Sequence, residues 1–174
     1  MTATFPARFI LVIAASPCPC AKTAGPAAEC RCSPATRRRY LGRISGPLLD
    51  RIDVKIELHP AGRTGLLDNR GRAEPSQVVT GRVAAAREQA ARRLAGTPWR
   101  LNAEIPGSEL RRHWPPGPGA LTDVERALER GQVSARGVAK VIRVAWTLAD
   151  LTGTNRPGRA ECDTALSLYL GVTR

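Results

Sequence analysis

Apolar and polar positions along this chain follow two different periods. The run Phe9-Ile10-Leu11-Val12-Ile13-Ala14-Ala15 is unbroken, rich in β-branched residues and stopped by Ser16-Pro17. It predicts a buried parallel strand. Further on, Ile52, Val54, Ile56 and Leu58 alternate with Asp53, Lys55 and Glu57, the period of a half-buried strand. Between them Ser33-Pro34 predicts a helix cap with proline at the first helical position. A basic helix follows from Ala35 to about Ile44, broken by Ser45-Gly46-Pro47, and Leu48 to Arg51 make a tight turn.

Beyond residue 75 the period becomes helical. Val78, Val79, Val83, Ala86, Ala90 and Leu94 form a broad apolar stripe, with Arg82, Arg87, Arg92 and Arg93 outside it. Gly96 and Pro98 end this helix. A short helix is predicted over Ser108 to Trp114, and Pro115 to Gly119 form a loop. Thr122, with Glu125 three residues on, reads as the capping box of the next helix. Ser134 caps a longer helix reaching about Asp150, and Arg159 to Leu170 make the last.

The order is strand, loop, helix, strand, then four or five helices. That is the edge of an α/β unit (two strands and a helix) over residues 1–60, a polar, Gly-rich linker over 61–75, and a mostly α-helical unit over 76–174. Two strands do not make a stable sheet alone, so the remaining strands lie upstream in a longer gene or are absent. No internal repeat is visible.

Composition adjusts this picture in three places. Hydrophobic residues are 43% but aromatic ones only 4%, so Leu, Val, Ile and Ala must build the core. Lys and Arg number 27 against 15 acids, a net charge of +12. A surface this basic attracts polyanions such as nucleic acid or nucleotide phosphate. The same excess, mostly Arg in an Ala-rich chain, is also what a GC-rich genome produces, and both readings stand. The apolar run after Arg8 is short for a signal peptide and better suits a strand, and no run is long enough to span a bilayer. A cytoplasmic protein is expected.

The five cysteines are Cys18, Cys20, Cys30, Cys32 and Cys162, an odd number that argues against a secreted disulfide scaffold. Two Cys-x-Cys pairs nine residues apart supply four thiols, enough for a tetrahedral Zn²⁺ staple. The more regular zinc spacing is Cys-x₂-Cys, and a reduced loop with unligated thiols is the other reading. Cys162 is expected in the core. His59 and His113 are isolated and read as surface residues. Trp99, Trp114 and Trp146 read as packing residues.

One run is far more specific than the rest: Arg39-Tyr40-Leu41-Gly42-Arg43-Ile44-Ser45-Gly46-Pro47-Leu48-Leu49-Asp50-Arg51-Ile52-Asp53. It resembles the segment before the last core strand in magnesium-chelatase-like AAA+ ATPases of the YifB/ComM group. The Ser16-Pro17-Cys18-Pro19-Cys20 opening, Cys30-x-Cys32 and the helical stretch from Ser134 to Leu151 agree with it. The resemblance runs from about Phe9 to Leu170. It implies a C-terminal fragment: part of an AAA+ core followed by a helical lid.

The resemblance also implies site residues. Arg51 takes the place of an arginine finger that acts in trans on a neighbouring subunit's nucleotide; the alternative is a structural ion pair with Asp50 or Asp53. A guanidinium suits the first role because it is always charged and its planar fork matches phosphate. Arg136 matches the sensor-2 position that contacts ATP phosphate, with Arg143 as the second candidate. Arg136, Lys140, Arg143 and Thr147 share one helical stripe, which is either a phosphate-gripping face or a solvated one. Ser16 stands where the family carries the sensor-1 Asn, and its single hydroxyl is a poorer orienter of water.

The intact family is expected to use ATP and Mg²⁺, to form hexameric rings, and in the ComM type to drive DNA branch migration. This chain has no Gly-x-x-x-x-Gly-Lys-[Ser/Thr] run and no strand ending in paired acids. By itself it is expected to be inactive as an ATPase. Three roles follow: half of a split ATPase working with an upstream ATPase half, a basic DNA-binding module without ATPase activity, or a non-functional truncated gene product.

Overall fold

The computed structural model describes residues 10–20, 30–58 and 74–172. Phe9, His59 and most of the expected linker lie outside them. The described residues form helices: α1 (Pro34–Leu41), a single turn α2 (Gly46–Leu49), α3 (Ser76–Arg93), a 3₁₀ turn (Asn102–Glu104), α4 (Gly107–His113), α5 (Thr122–Glu129), α6 (Ala135–Thr152) and α7 (Arg159–Leu170).

No strand forms among the described residues, which corrects the expected two-strand core edge. Apart from the half-buried Ile52, residues 10–15 and 52–58 keep their apolar side chains in water: Ile10 is 90% exposed, Val12 86% and Leu58 87%. A strand exists only against a partner that takes its backbone hydrogen bonds. Among the described residues neither segment pairs with another extended strand, and β-propensity goes unused.

The helical unit is built around α6. One side of α6 presents Val141 and Ala145 to a core completed by Ala120, Val124 and Ala127 before and on α5, and by Cys162, Ala165 and Tyr169 on α7. Its other side presents Ile142, Trp146 and Ala149 to Leu94, Ile105 and Leu110. Burial on both sides is why α6 carries little polarity apart from one stripe. Trp146 donates its indole N–H to the Trp114 carbonyl at 2.9 Å, and Trp99 meets Trp114 edge-on at 5.8 Å between ring centroids. The tryptophans thus seal the seam between α6 and α4, as expected.

Caps match the sequence pattern with one exception. Ser33 and Ser134 accept from Thr36 N and Gly137 N at the starts of α1 and α6. Gly153 ends α6 at φ 72°, a conformation other residues avoid. Thr122 is not a cap: it is the first helical residue of α5, and its hydroxyl donates to the Gly119 carbonyl at 2.9 Å. The Gly119 turn places the backbone so that the preceding loop, not a side chain, starts this helix. On α3 the apolar stripe is only half used. Ala86, Ala90 and Leu94 are buried, whereas Val78, Val79 and Val83 are exposed. No helix among the described residues is long and apolar enough to cross a membrane.

Candidate functional site

The Asp50–Lys55 segment, expected to begin a strand, is instead latched onto the helical unit by side chains. Ser45 starts the turn α2 by accepting from Leu48 N at 3.3 Å. Arg51 N and Ile52 N then bond back to Leu48 O and Leu49 O at 3.0 and 3.2 Å, closing the tight turn the sequence predicts. From α6, Lys140 donates to the Asp50 carbonyl at 2.8 Å and lies 3.3 Å from the Asp53 carboxylate. Tyr169 of α7 donates its hydroxyl to Asp50 Oδ1 at 2.9 Å. Lys55 closes the other end. Its backbone N–H donates to Leu168 O at 2.7 Å, and its ammonium donates to Tyr169 O at 2.6 Å and lies 4.5 Å from the Tyr169 ring centroid.

Charge in the latch is concentrated and partly dry. Lys140 is only 8% exposed, so its ammonium depends on the Asp50 carbonyl and the Asp53 carboxylate. Burial lowers the Lys55 pKa, and the neighbouring Lys140 lowers it further. Burial raises the Tyr169 pKa, and the hydrogen bond to Asp50 adds to the effect.

This latch sets the place of Arg51. Together with Asp53, Asn102, Lys140, Arg143 and Thr147, Arg51 lines an open cleft of about 390 Å³. The two neighbouring carboxylates are engaged elsewhere, Asp50 by Tyr169 and Asp53 by Lys140. Among the described residues no hydrogen bond or ion pair occupies the exposed Arg51 guanidinium. The expected alternative of an Arg51–Asp50 or Arg51–Asp53 ion pair is therefore not formed.

Arg143 is half-buried and forked onto the Ile105 carbonyl through Nε at 3.1 Å and Nη2 at 2.9 Å. It borders the Arg51 cleft on one side. On the other side it borders a second cleft of about 530 Å³, shared with Arg136 and Arg111. The structure thus brings Arg51 together with Arg143, and Arg143 with Arg136. Arg136 is exposed and does not line the Arg51 cleft. Ser16 is exposed and lines neither cleft.

Several residues of this region carried no signal in the sequence. Arg93, placed on the outer face of α3, instead grips the Asp150 carboxylate through both nitrogens and donates to Asn102 Oδ1 at 2.7 Å. Asn102 Nδ2 donates to Thr147 Oγ1 at 3.1 Å and to Asp150 Oδ2 at 3.0 Å. This network, buried at Asn102 and Asp150, reaches the Arg51 cleft through Asn102 and Thr147. Lys55 and Tyr169 were equally silent, because their partners are more than a hundred residues away in the chain. The alternation of residues 52–58 assigned Lys55 only to a polar face.

The four paired cysteines come together. The sulfurs of Cys18, Cys20, Cys30 and Cys32 all lie within 4.8 Å of one another, with Cys18 buried and the others half-buried. Cys162 is buried on α7, in the core as expected, and burial pushes its thiol up to about 11.

Two family models divide the chain. One, described as magnesium chelatase, subunit ChlI, matches residues 1–65; the other, described as magnesium chelatase, subunit ChlI C-terminal, matches residues 73–169. An uncharacterized protein of Mycobacterium tuberculosis is 48% identical over 167 residues, which is 95% of this chain and 32% of the relative. The competence protein ComM of Haemophilus influenzae is 38% identical over 150 residues, 86% of this chain and 28% of ComM. The uncharacterized protein YifB of Escherichia coli is 34% identical over 172 residues, 98% of this chain and 32% of YifB. The chain spans about a third of the length of the curated relatives it matches.

Proposed function

Because the chain belongs to the magnesium-chelatase ChlI family, we propose that it acts as the C-terminal lid portion of a ring-forming, ATP-driven motor of the YifB/ComM type, presenting Arg51 to a nucleotide held by a neighbouring subunit. The observation that carries this reading is the Arg51 guanidinium. It is exposed, unengaged among the described residues, and held at a cleft by a turn that Lys140 and Tyr169 anchor. A group meant to meet phosphate must be charged, positioned and unpaired, and Arg51 meets all three conditions.

The cleft chemistry suits an anion. Lys140 is balanced by Asp53, which leaves the Arg51 and Arg143 charges unneutralised at the cleft. ATP with Mg²⁺ supplies the γ-phosphoryl group that is transferred to water. Arg51 stabilises charge developing on the equatorial oxygens. Arg143, fixed by the Ile105 carbonyl, keeps an outward edge for phosphate, and Arg136 extends the same stripe into the second cleft. Ser16 has no part in this arrangement. DNA as the object moved by the motor is supported by the name of one relative, a competence protein, and by the +12 charge.

The test is trans-complementation. The chain alone is expected to hydrolyse no ATP above background. Mixed with the nucleotide-binding portion of a family member, it restores turnover. Arg51→Ala then lowers turnover by about 10³-fold or more without weakening nucleotide binding. Unchanged turnover in the Arg51→Ala mixture rejects the reading.

A second reading, a DNA-binding module that works without ATP, is favoured by the same +12 charge. It expects duplex binding by the isolated chain that weakens steeply with salt, roughly one power of salt concentration per phosphate contact. No binding at low salt removes it.

A further inference from the structure

We propose that Cys18, Cys20, Cys30 and Cys32 hold one zinc ion, a structural staple that anchors the basic helix α1 independently of the nucleotide chemistry above. The sulfurs are grouped as an ion requires. The Cys18 sulfur is 3.3 Å from that of Cys20 and 3.2 Å from that of Cys30, and Cys20 and Cys30 are 3.5 Å apart. These gaps are far too long for a disulfide, about 2.05 Å. They approach the roughly 3.8 Å between corners of a tetrahedron whose centre lies about 2.3 Å from each sulfur, the Zn–S distance. Four soft thiolates at tetrahedral corners select zinc over hard cations. Sulfurs this close leave room for a single ion rather than for a cluster of several metals.

A guanidinium and a helix start stand beside the thiols. Arg37, one turn into α1, donates from Nη2 to the Cys30 sulfur at 3.5 Å. Cys32 immediately precedes the Ser33 cap, so the positive end of α1 faces the site. A four-thiolate zinc centre carries a net charge of −2, and a guanidinium and a helix N-terminus are the outer groups that offset it.

The staple also accounts for α1 itself. This helix has eight residues and buries none of them. Without packing, so short a helix is marginal in water. Tethering Cys30 and Cys32, directly before its cap, to Cys18 and Cys20 supplies the missing anchor. In chemical terms, zinc binding replaces four S–H protons with four Zn–S bonds and involves no oxidation.

Metal analysis of the full chain, purified under reducing conditions without chelator, tests this. One zinc per chain is expected, released when four thiols are titrated by a mercurial. Cobalt added to the metal-free chain should give the intense visible bands of tetrahedral thiolate coordination, a readout that needs no variant. Cys30→Ser should lose most of the zinc, Cys162→Ser should keep it, and Arg37→Ala should weaken affinity about 10- to 100-fold. Zinc far below one per chain together with a cobalt spectrum lacking thiolate bands overturns the proposal. So does zinc that survives Cys30→Ser, iron–sulfur absorption in place of zinc, or a disulfide between the pairs. Loss of zinc leaves the Arg51 reading standing, since ATP turnover in the trans-complementation mixture is measured separately.

Discussion

Tyr169 donates its hydroxyl to Asp50 Oδ1 at 2.9 Å, joining the end of α7 to the turn that carries Arg51 across 119 residues of chain. Because Tyr169 is almost fully buried, this bond is shielded from water at the tyrosine end. Tyr169→Phe is expected to cost about 1–3 kcal/mol, the range for a buried hydrogen bond to a carboxylate. Urea denaturation measures that loss. Hydrogen exchange over residues 50–55 should quicken in the same variant, while exchange in α3 stays unchanged. Equal quickening in both would mean that Tyr169 holds the core and not the latch.

Gly137 sits in the first turn of α6 against the same tyrosine. A Cβ added there would lie 2.7 Å from both Tyr169 Oη and Val133 Cγ1. Gly→Ala inside a helix ordinarily stabilises by up to about 1 kcal/mol. Here the sign should reverse, with Gly137→Ala losing about 1–3 kcal/mol to overpacking. Thermal denaturation decides, and a raised Tm would show that Tyr169 yields freely.

Arg93 and Asp150 form a buried ion pair, with the Asp150 side chain 3% exposed. Arg93→Met strands a buried carboxylate and is expected to cost about 3–5 kcal/mol. Adding Asp150→Leu should recover much of that loss, because the uncompensated charge is then gone. Failure of the double variant to recover would assign the loss to Arg93 packing over the Trp146 ring, from which its guanidinium lies 4.2 Å.

Asp123 ties α5 to α7 through Arg159 at 2.7 Å, and also pairs with Arg126 at 3.0 Å. The hydrogen bond from Arg159 is the main cause that lowers the Asp123 pKa below its ordinary 3.8. A depressed carboxylate contributes stability above its unfolded pKa and loses it as pH falls through the folded value. Tm should therefore fall more steeply below about pH 4 in the parent than in Asp123→Asn, with the two curves differing by a constant amount near neutrality. Parallel acid limbs would assign the acid loss to other groups.

Part of this was legible in the sequence because it is local chemistry. The helix over Arg159–Leu170 has the expected limits, and the caps at Ser33 and Ser134 were readable because a cap needs only its own side chain and the next turn. The strands at 10–15 and 52–58 were misread for the complementary reason. Alternation records which side chains prefer burial, but a strand also needs a neighbour, and nothing in a period of two states whether one is present.

By itself the sequence determined the family-specific Asp50-Arg51-Ile52-Asp53 run, the two cysteine pairs, the charge and the order of the helices, all of which are properties of neighbouring residues. Only the tertiary structure decided that Asp50 and Asp53 are taken by Tyr169 and Lys140, leaving Arg51 at the cleft with its guanidinium unengaged among the described residues. It alone also brought four sulfurs within 4.8 Å of one another and put Arg93 on Asp150. Such partnerships join residues tens of positions apart, and hydrogen bonds and charges choose partners by distance in space, which composition and periodicity do not encode.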